Sequence, residues 1–206
     1  PPLRPGPLLA LLRRHPLLLL LAVLLAAGDY AYEVLYVRPA MSWLGLPAAR
    51  EWQPVTWTRV LRNDGFLVGW SDLRGNPLWV QYRLHAIPAD APRLRRPQRF
   101  SRDWRALNSI GHDDYSGSGY DRGHLAPNYA ISRLYGAQAQ QDTFLMTNIT
   151  PQRPNLNQKV WQRLEEIEAD AFAPRYGELW VLTGPVFAET PFHYSHKGLD
   201  IFNYGH

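Results

Sequence analysis

The sequence of 206 residues contains no cysteine. This absence excludes disulfide bonds, thiolate zinc sites and cysteine nucleophiles. The chain also has little excess charge. Its formal net charge is +4. Three of these positive charges come from arginines near the N-terminus, before the first acidic residue, Asp29: Arg4, Arg13 and Arg14. The remainder of the chain therefore has a net charge of only +1. Global charge therefore does not indicate a polyanionic partner, and only a local basic patch can do so.

Apolar residues are abundant by contrast. Hydrophobic side chains make up 46% of the sequence and charged ones 19%, which is typical of a folded protein rather than a disordered one. The length suits one domain with a short additional segment, and we find no internal repeat.

The longest apolar run lies near the N-terminus, at Leu17–Ala27, after three arginines and before the small residue Gly28. A positive flank, a short apolar run and small residues after it are typical of an export signal. The run is short for a membrane span, which needs about 20 residues, but the apolar stretch Tyr30–Val37 leaves an uncleaved anchor as an alternative. We predict that residues 1–28 are a signal peptide or membrane anchor outside the folded core. The protein would then be exported: periplasmic, secreted or anchored.

The remainder divides into a linker or wrap at residues 29–55, rich in proline, and a folded domain at 56–206. Two β-rich runs, Phe66–Trp70 and Leu78–Leu84, flank a turn signal at Gly75 and Asn76 and predict a hairpin. Further strand candidates are Thr143–Ile149 and Glu178–Phe187, the second of which reads as a buried strand.

The clearest helix is predicted from Asn155 to about Phe172, with Asn155 and Gln158 in the relation of a capping box. Its apolar residues repeat at helical spacing: Leu156, Val160, Leu164, Ile167 and Ala171. Since strands and helices do not alternate regularly, the pattern predicts an α+β fold rather than a doubly wound parallel sheet.

Two polar clusters contain the residues that could carry chemistry. In the first, Asp114–Asn128, the side chains of Asp121, Arg122 and His124 surround Gly123. A neutral imidazole can accept a proton from water near neutral pH, and a guanidinium can hold a phosphate with two hydrogen bonds. Taken alone, this pattern is equally that of a surface turn with a solvated histidine.

The second cluster, Thr147–Glu166, offers neutral oxygen donors in a run with few charges: Asn148, Gln152, Asn155 and Asn157. Magnesium prefers hard oxygen ligands and often takes only one or two of them from the protein. Amides at a helix start are also common as caps and turn formers, so this segment is ambiguous by itself.

Together the two clusters resemble the DNA/RNA non-specific endonuclease family. The resemblance is carried by the motifs SGYDRGHLAP, TNITPQ and LNQ, with Trp161 and Glu165 after them, and it runs from about Phe66 to Phe187. It implies a ββα-metal nuclease fold, with a central, mostly antiparallel sheet flanked by helices. It also implies a magnesium-dependent hydrolase, with manganese as a substitute, that cuts DNA and RNA without strict sequence specificity and leaves 5′-phosphate and 3′-hydroxyl ends.

The resemblance further implies roles for individual residues. His124 would be the general base, and Asn157 the sole direct protein ligand of the metal. Glu165 would hold a metal-bound water, Arg122 would contact phosphate or stabilise the transition state, and Asp121 would support the motif.

Substrate contacts are implied for Arg102, which is similar to a phosphate-contacting arginine of the family, and Asn148 and Gln152 would shape the site. Arg99 belongs to the stretch Arg93–Arg105, which holds six arginines against one aspartate. We interpret this stretch as a patch that follows a nucleic-acid backbone; the alternative is a solvated loop.

Several departures and alternatives follow from the same comparison. Ala169 stands where some members have an arginine, so another basic residue would have to take that role. The family's further strand and helix after LTGPVF are missing or altered here, so the C-terminal part of the fold is expected to be truncated. His193 and His196 have metal spacing without an evident third ligand, and His112-Asp113-Asp114 reads as a solvated turn.

The predicted partners are DNA and RNA, the membrane only through the N-terminal segment, and a second copy in a homodimer. The competing functions are a catalytically inactive nucleic-acid-binding relative and a metal phosphodiesterase for small molecules. The sharpest structural expectation is that His124 and Asn157 face one cleft. Glu165 would lie about 12 Å further along a regular helix, so it would act through water unless the helix starts irregularly near Asn157.

Overall fold

The computed structural model describes residues 14–49, 53–108, 110–187, 192–196 and 199–203. The chain divides into two compact units, Pro1–Ala40 and Met41–His206. The strands are β1 Arg59–Asn63, β2 Phe66–Ser71, β3 Asn76–His85, β4 Asp121–His124, β5 Ile149–Gln152, β6 Glu178–Thr183, β7 Phe192–His196 and β8 Leu199–Asn203. The helices are α1 Pro16–Ala40, α2 Asn128–Tyr135, α3 Ala137–Thr143 and α4 over residues 154–176.

The first unit contains helix α1, which is α-helical over Pro16–Tyr32 and Arg38–Ala40 with a π-helical stretch, Glu33–Val37, between them. None of its residues is buried, and the apolar side chains surround the helix on all sides. By length and composition it could cross a membrane, since its most apolar window of 18 residues has a mean hydropathy of 1.8, although signal sequences share these properties. The helix continues past Gly28, where the sequence predicted that the N-terminal segment would end.

The second unit is built on a four-stranded antiparallel sheet in the order β1-β2-β3-β6. The predicted hairpin is confirmed as β2 and β3, joined through the turn at residues 72–75. Alternate side chains of these strands form the core together with small residues of the helices, among them Phe66, Val68, Trp70, Val80, Tyr82, Leu84, Ala130, Ala169 and Ala173. The antiparallel sheet with flanking helices confirms the predicted α+β class.

A second, two-stranded sheet pairs β4 with β5 in antiparallel register, so that His124 lies opposite Ile149. Helix α4 follows β5 directly, which produces a β-β-α arrangement. Helices α2 and α3 connect the two strands and were not predicted, because their sequence carries few apolar repeats. β7 and β8 form a further hairpin.

The strand expected at Thr143–Ile149 is wrong for most of its length. Thr143 ends α3, Met146–Asn148 is a 3-10 turn, and only Ile149 belongs to a strand. The cause is the side chain of Asn148, which accepts a hydrogen bond from the Ala126 N–H and donates to the carbonyls of Ala126 and Thr143. These bonds favour a turn, since an amide side chain can replace strand partners.

Two further expectations need correction. Asn155 makes no capping hydrogen bond, because it already has helical dihedral angles and Pro154 begins the helix. The predicted apolar row of α4 is not its buried face: Val160 is 65% exposed, whereas Ala169 is buried. β6 was expected to be buried, but it is only half-buried, since β3 is its only neighbour in the described sheet.

Candidate active site

One cavity of about 550 Å³, called here the main cavity, lies between β4 and α4. His124 from β4 and Asn157 from α4 both line it, which is the arrangement expected from the sequence, and Arg122 and Glu165 line it as well. We refer to Asp121–His124 as the strand wall and to the part of α4 at residues 157–165 as the helix wall. The main cavity thus collects four of the five residues to which the sequence assigned catalytic or metal-binding roles.

The strand wall depends on Gly123. A Cβ atom added there would collide with the side chain of Gln152 on the neighbouring strand, so the absence of a side chain at Gly123 leaves the room that Gln152 occupies. Arg122 is held from the other side, because its Nε donates to the His112 carbonyl at 2.8 Å and its Nη2 to Ser116 Oγ at 3.0 Å. Both acceptors are neutral, so the guanidinium keeps its net positive charge toward the cavity.

His124 is packed in an aromatic pocket and is 8% exposed. Its ring meets Phe144 edge-on at 5.0 Å between centroids and Phe100 at 5.2 Å. Burial, helped by the positive charge of Arg96, lowers the pKa of His124 from 6.5 to about 3. The imidazole is therefore neutral at physiological pH and able to accept a proton. Its Nε2 is buried without a hydrogen-bond partner among the described residues.

The helix wall is irregular. Leu156–Trp161 forms π-helical turns, in which the backbone bonds i to i+5, before α4 becomes regular. The irregular start that the sequence raised as an alternative is therefore present. Asn157, Trp161 and Glu165 follow one another at intervals of four residues, and Asn157 and Glu165 both line the main cavity.

Asp121 connects the two walls. Its Oδ2 accepts hydrogen bonds from Asn157 Nδ2 at 2.9 Å and from Gln158 Nε2 at 2.7 Å. Because the amide nitrogen of Asn157 is engaged in this way, its Oδ1 remains the atom available to a ligand. Trp161 Nε1 adds a bond to the His124 carbonyl at 3.2 Å.

Glu165 completes the helix wall. Burial, and then the charge of Glu168, raise the pKa of Glu165 to about 8. Its Oε1 is buried without a hydrogen-bond partner among the described residues. Asn157 and Glu165 both line the main cavity and carry oxygen atoms, which are the hard donors that suit a magnesium ion that keeps most of its waters. The described residues contain no cluster of three histidine or acidic side chains that could bind a metal.

The family model for DNA/RNA non-specific endonucleases matches residues 53–198, which include both walls and the main sheet. The chain belongs to this family. Two relatives are human mitochondrial endonuclease G, 37% identical over 112 residues, and a nuclease from a Nostoc species, 42% identical over 125 residues. These alignments cover 53% and 58% of this chain but only 37% and 43% of the relatives, so the chain spans about two fifths of their length.

The fold agrees with a solved member of the family. The crystal structure of the EndoG/EndoGI complex superposes with a TM-score of 0.58 at 24% identity, covering 77% of this chain and 61% of that one. The ββα-metal fold expected from the sequence is thereby confirmed, and β4, β5 and α4 are its β-β-α elements.

The four residues predicted to contact substrate do not line the main cavity of this family member. Asn148 is fully buried, and its amide is committed to the backbone of the β4–α2 connection and of α3, so its side chain has no access to a ligand. Gln152 packs against Gly123. Arg99 pairs with Asp113 at 2.7 Å, and Arg102 lies against Gly111.

The main cavity instead contains Arg96, which sequence reasoning did not single out within the arginine-rich stretch. Its guanidinium lies 5.1 Å from the centroid of the Phe144 ring. The exposed residue Tyr129 also lines the cavity. Arg96 is distinguished from the other arginines of the stretch by its contact with Phe144, which is distant in the sequence. No local sequence motif could therefore have identified it.

The other polar motifs lie outside the main cavity. His112-Asp113-Asp114 forms a 3-10 turn that Asp114 stabilises by accepting the Gly111 N–H at 2.7 Å. It is the turn that the sequence indicated. The side chains of His193 and His196 lie outside the described part of the structure, so a metal role for them stays a hypothesis.

Proposed function

We propose that this chain is a metal-dependent endonuclease that hydrolyses DNA and RNA without strict sequence specificity. The observation that carries the proposal is the shared cavity, which is lined by a buried neutral histidine, by two arginines, by an amide whose nitrogen donates to Asp121, and by a glutamate with one unpaired carboxyl oxygen. The names of the relatives, endonuclease G and nuclease, support the same activity.

In this proposal His124 is the general base. Its lowered pKa keeps the ring neutral across the physiological range, so the imidazole can take a proton from the water that attacks phosphorus. The aromatic pocket of Phe100 and Phe144 orients the ring. The β4–β5 pairing and the Trp161 bond fix its backbone. Since water is the nucleophile, no 2′-hydroxyl is required, which permits both DNA and RNA.

Asn157 Oδ1 would hold a magnesium ion, with Glu165 holding one of the waters around it. When bound, the ion would neutralise charge on the phosphate and on the leaving 3′ oxygen. Asp121 acts through Asn157: by accepting the amide N–H at 2.9 Å it fixes the orientation of the amide and leaves Oδ1 for the metal. The products would carry 5′-phosphate and 3′-hydroxyl ends.

Arg96 and Arg122 would bind the phosphate that is cleaved. Neither side chain has a carboxylate partner among the described residues, so both retain charge for a phosphodiester. Phosphate contacts supply affinity without reading the bases, which accounts for the lack of sequence choice. In this proposal Arg96 supplies the positive charge that some members of the family carry as an arginine at the position of Ala169.

The decisive experiment is digestion of plasmid DNA and of RNA by the full chain in detergent, with Mg²⁺, Mn²⁺ or EDTA. We expect cleavage of both nucleic acids with either metal and none in EDTA. The products should carry a 5′-phosphate and a 3′-hydroxyl, so a ligase should be able to join them, and removal of the 5′-phosphate should prevent this. Asn157→Ala should require far more magnesium than the wild type, with Asn155→Ala as the matched amide control on the same helix.

Other outcomes identify the competing functions. Binding without cleavage at any metal concentration would indicate an inactive nucleic-acid-binding relative. Cleavage of small phosphodiesters but not of polymers would indicate a small-molecule phosphodiesterase. Full activity in EDTA, or strict sequence specificity, would contradict the proposal.

We further propose that the apolar helix α1 exports the protein or anchors it in a membrane. The support is a 25-residue helix without a buried residue, in which the most apolar 18 residues have a mean hydropathy of 1.8. Fractionation of cells producing the full chain should find the nuclease outside the cytoplasm or in membranes, and Leu20→Arg with Leu24→Arg should release it into the cytosol. Delivery to mitochondria, the location in the name of the human relative, would contradict the export proposal.

A further inference from the structure

The arginine-rich stretch does not act as one surface. Arg99 is engaged by Asp113, and Arg105 is engaged by Asp103 at 2.6 Å and also donates to neighbouring carbonyl and amide oxygens. Arginines that are neutralised in this way contribute little to binding an anion. Arg93, by contrast, forms no ion pair with the described acidic residues and lines a second cavity, distinct from the main cavity.

This second cavity, of about 370 Å³, adjoins the main cavity, because Asn128 and Tyr129 line both. Arg93 reaches it from the loop before β4, and Arg133 reaches it from α2. The second cavity is thus lined by two arginines on independent elements, which converge on one space next to the proposed cleavage site.

Arg133 lines the second cavity with an incompletely hydrogen-bonded guanidinium. Its Nε is buried and has no hydrogen-bond partner among the described residues. A buried donor without an acceptor is unfavourable, and Arg133 has no carboxylate partner among the described residues, so its charge is available to an anion in the second cavity. The guanidinium also lies 5.7 Å from the ring centroid of Tyr129, whose hydroxyl donates to Asp170 Oδ1 at 2.9 Å. That bond fixes the ring where the two cavities meet.

We propose that the second cavity binds a phosphate of the substrate strand that neighbours the cleaved one, through Arg93 and Arg133. The inference rests on the proposed nuclease function. Because each nucleotide of a strand carries one phosphate, a strand whose cleaved phosphate occupies the main cavity presents the next one to an adjoining basic site. The site recognises phosphate charge and makes no base contact.

The test compares two substrates, a dinucleoside monophosphate with a single phosphodiester and a decanucleotide. The variants are Arg93→Gln, Arg133→Gln and their combination, with Arg99→Gln as the matched control from the same stretch. We expect the double variant to lower kcat/KM on the decanucleotide by about 10-fold to 100-fold and to leave the dinucleoside monophosphate within about twofold. The slope of log affinity against log salt should decrease by about one per arginine removed.

A binding measurement separates this inference from the nuclease proposal. In the His124→Ala background, the fluorescence anisotropy of a labelled decanucleotide should show the same loss of affinity without any cleavage. Unchanged affinity and salt slope would overturn the subsite while leaving the nuclease proposal intact, and equal losses on both substrates would place the arginines at the cleaved phosphate instead. If Arg133→Gln does not fold, as judged by thermal melting, the exposed Arg93→Gln alone decides.

Discussion

The strand wall and the helix wall of the main cavity are held by different forces. His124 on the strand wall is fixed by burial, by aromatic contacts and by the ladder of β4 with β5. Asn157 and Glu165 on the helix wall stand on a helix whose exposed face includes Val160, and hydrogen bonds to Asp121 hold the amide. The proposed base, His124, is therefore positioned by packing in the core, whereas the proposed metal ligand, Asn157, is positioned by a hydrogen bond to the carboxylate of Asp121.

This difference separates two kinds of sensitivity. Changes to His124 on the strand wall should alter the chemistry or the stability of the core. Changes to Asn157 on the helix wall, or to the carboxylate of Asp121 that holds it, should alter metal use and leave the fold intact. The predictions below test the two sides of this division and the bonds that join the two walls.

The largest effect is expected on the strand wall. His124→Ala should lower kcat by about 10²-fold to 10⁴-fold, because the general base is lost, while the affinities for magnesium and for DNA stay close to those of the wild type. Single-turnover cleavage and anisotropy measure the two quantities. His85→Ala, at the end of β3, is the control; if it loses as much activity as His124→Ala, the assignment of the base is wrong.

The next effect concerns the connection between the walls. Asp121→Ala should weaken the apparent affinity for magnesium by about 10-fold to 100-fold, the usual cost of removing a group that orients a metal ligand. Saturating magnesium should restore most of the activity. Asp113→Ala, which removes the partner of Arg99 outside the main cavity, should leave the magnesium titration unchanged. A loss of activity in Asp121→Ala that no magnesium concentration reverses would contradict a positioning role.

Acid should destabilise the strand wall through His124. Its pKa is 6.5 ordinarily and about 3 in the folded protein, so the unfolded chain binds the proton more tightly. This contribution to stability is fully present above pH 6.5 and is lost as the pH falls toward 3. Between pH 7 and pH 5 the loss should be roughly 2 kcal/mol in the free energy of unfolding.

Urea unfolding at several pH values measures this loss. His124→Asn, which cannot titrate in this range, should show a shallower dependence of stability on pH. Identical pH dependence in the two proteins would mean that the histidine is not buried in the neutral form.

The smallest effect is expected for Trp161→Phe. It removes the hydrogen bond from Nε1 to the His124 carbonyl and replaces the indole by a smaller ring at a half-buried position, so the free energy of unfolding should fall by about 1 kcal/mol. Cleavage should slow by a few fold at most. Thermal melting and a cleavage time course measure both, and a loss comparable with that of His124→Ala would show that the two walls do not act separately.

Much of this arrangement could be predicted from sequence because local signals agreed with the tertiary structure. The hairpin of β2 and β3 combines strand propensity with a turn signal. The pairing of His124 with Asn157 followed from a family resemblance that spans both motifs. What could not be predicted depends on contacts distant in the chain. Asn148 becomes a turn residue only because Ala126 lies beside it, and Arg96 enters the main cavity only because Phe144 supports it.

The buried face of α4 was not predictable for a similar reason. An apolar row at Leu156 and Val160 predicts a helix correctly, but the tertiary structure buries the small side chains of Ala169 and Ala173 against the sheet. The polar face turns instead toward β4. Helical periodicity predicts that a helix has an apolar face, but it does not predict which part of the protein packs against that helix.

Arg96 and Arg122 keep their positive charges unpaired at the proposed site, with consequences for the end of the reaction. A phosphodiester carries one negative charge, whereas a newly formed terminal phosphate carries nearly two at neutral pH. In the proposed nuclease, the same two guanidinium groups would hold the product more firmly than the substrate. Turnover of short fragments would then slow as ends accumulate, and inorganic phosphate would compete with nucleic acid for the same site. Buffers free of phosphate would reveal the full rate.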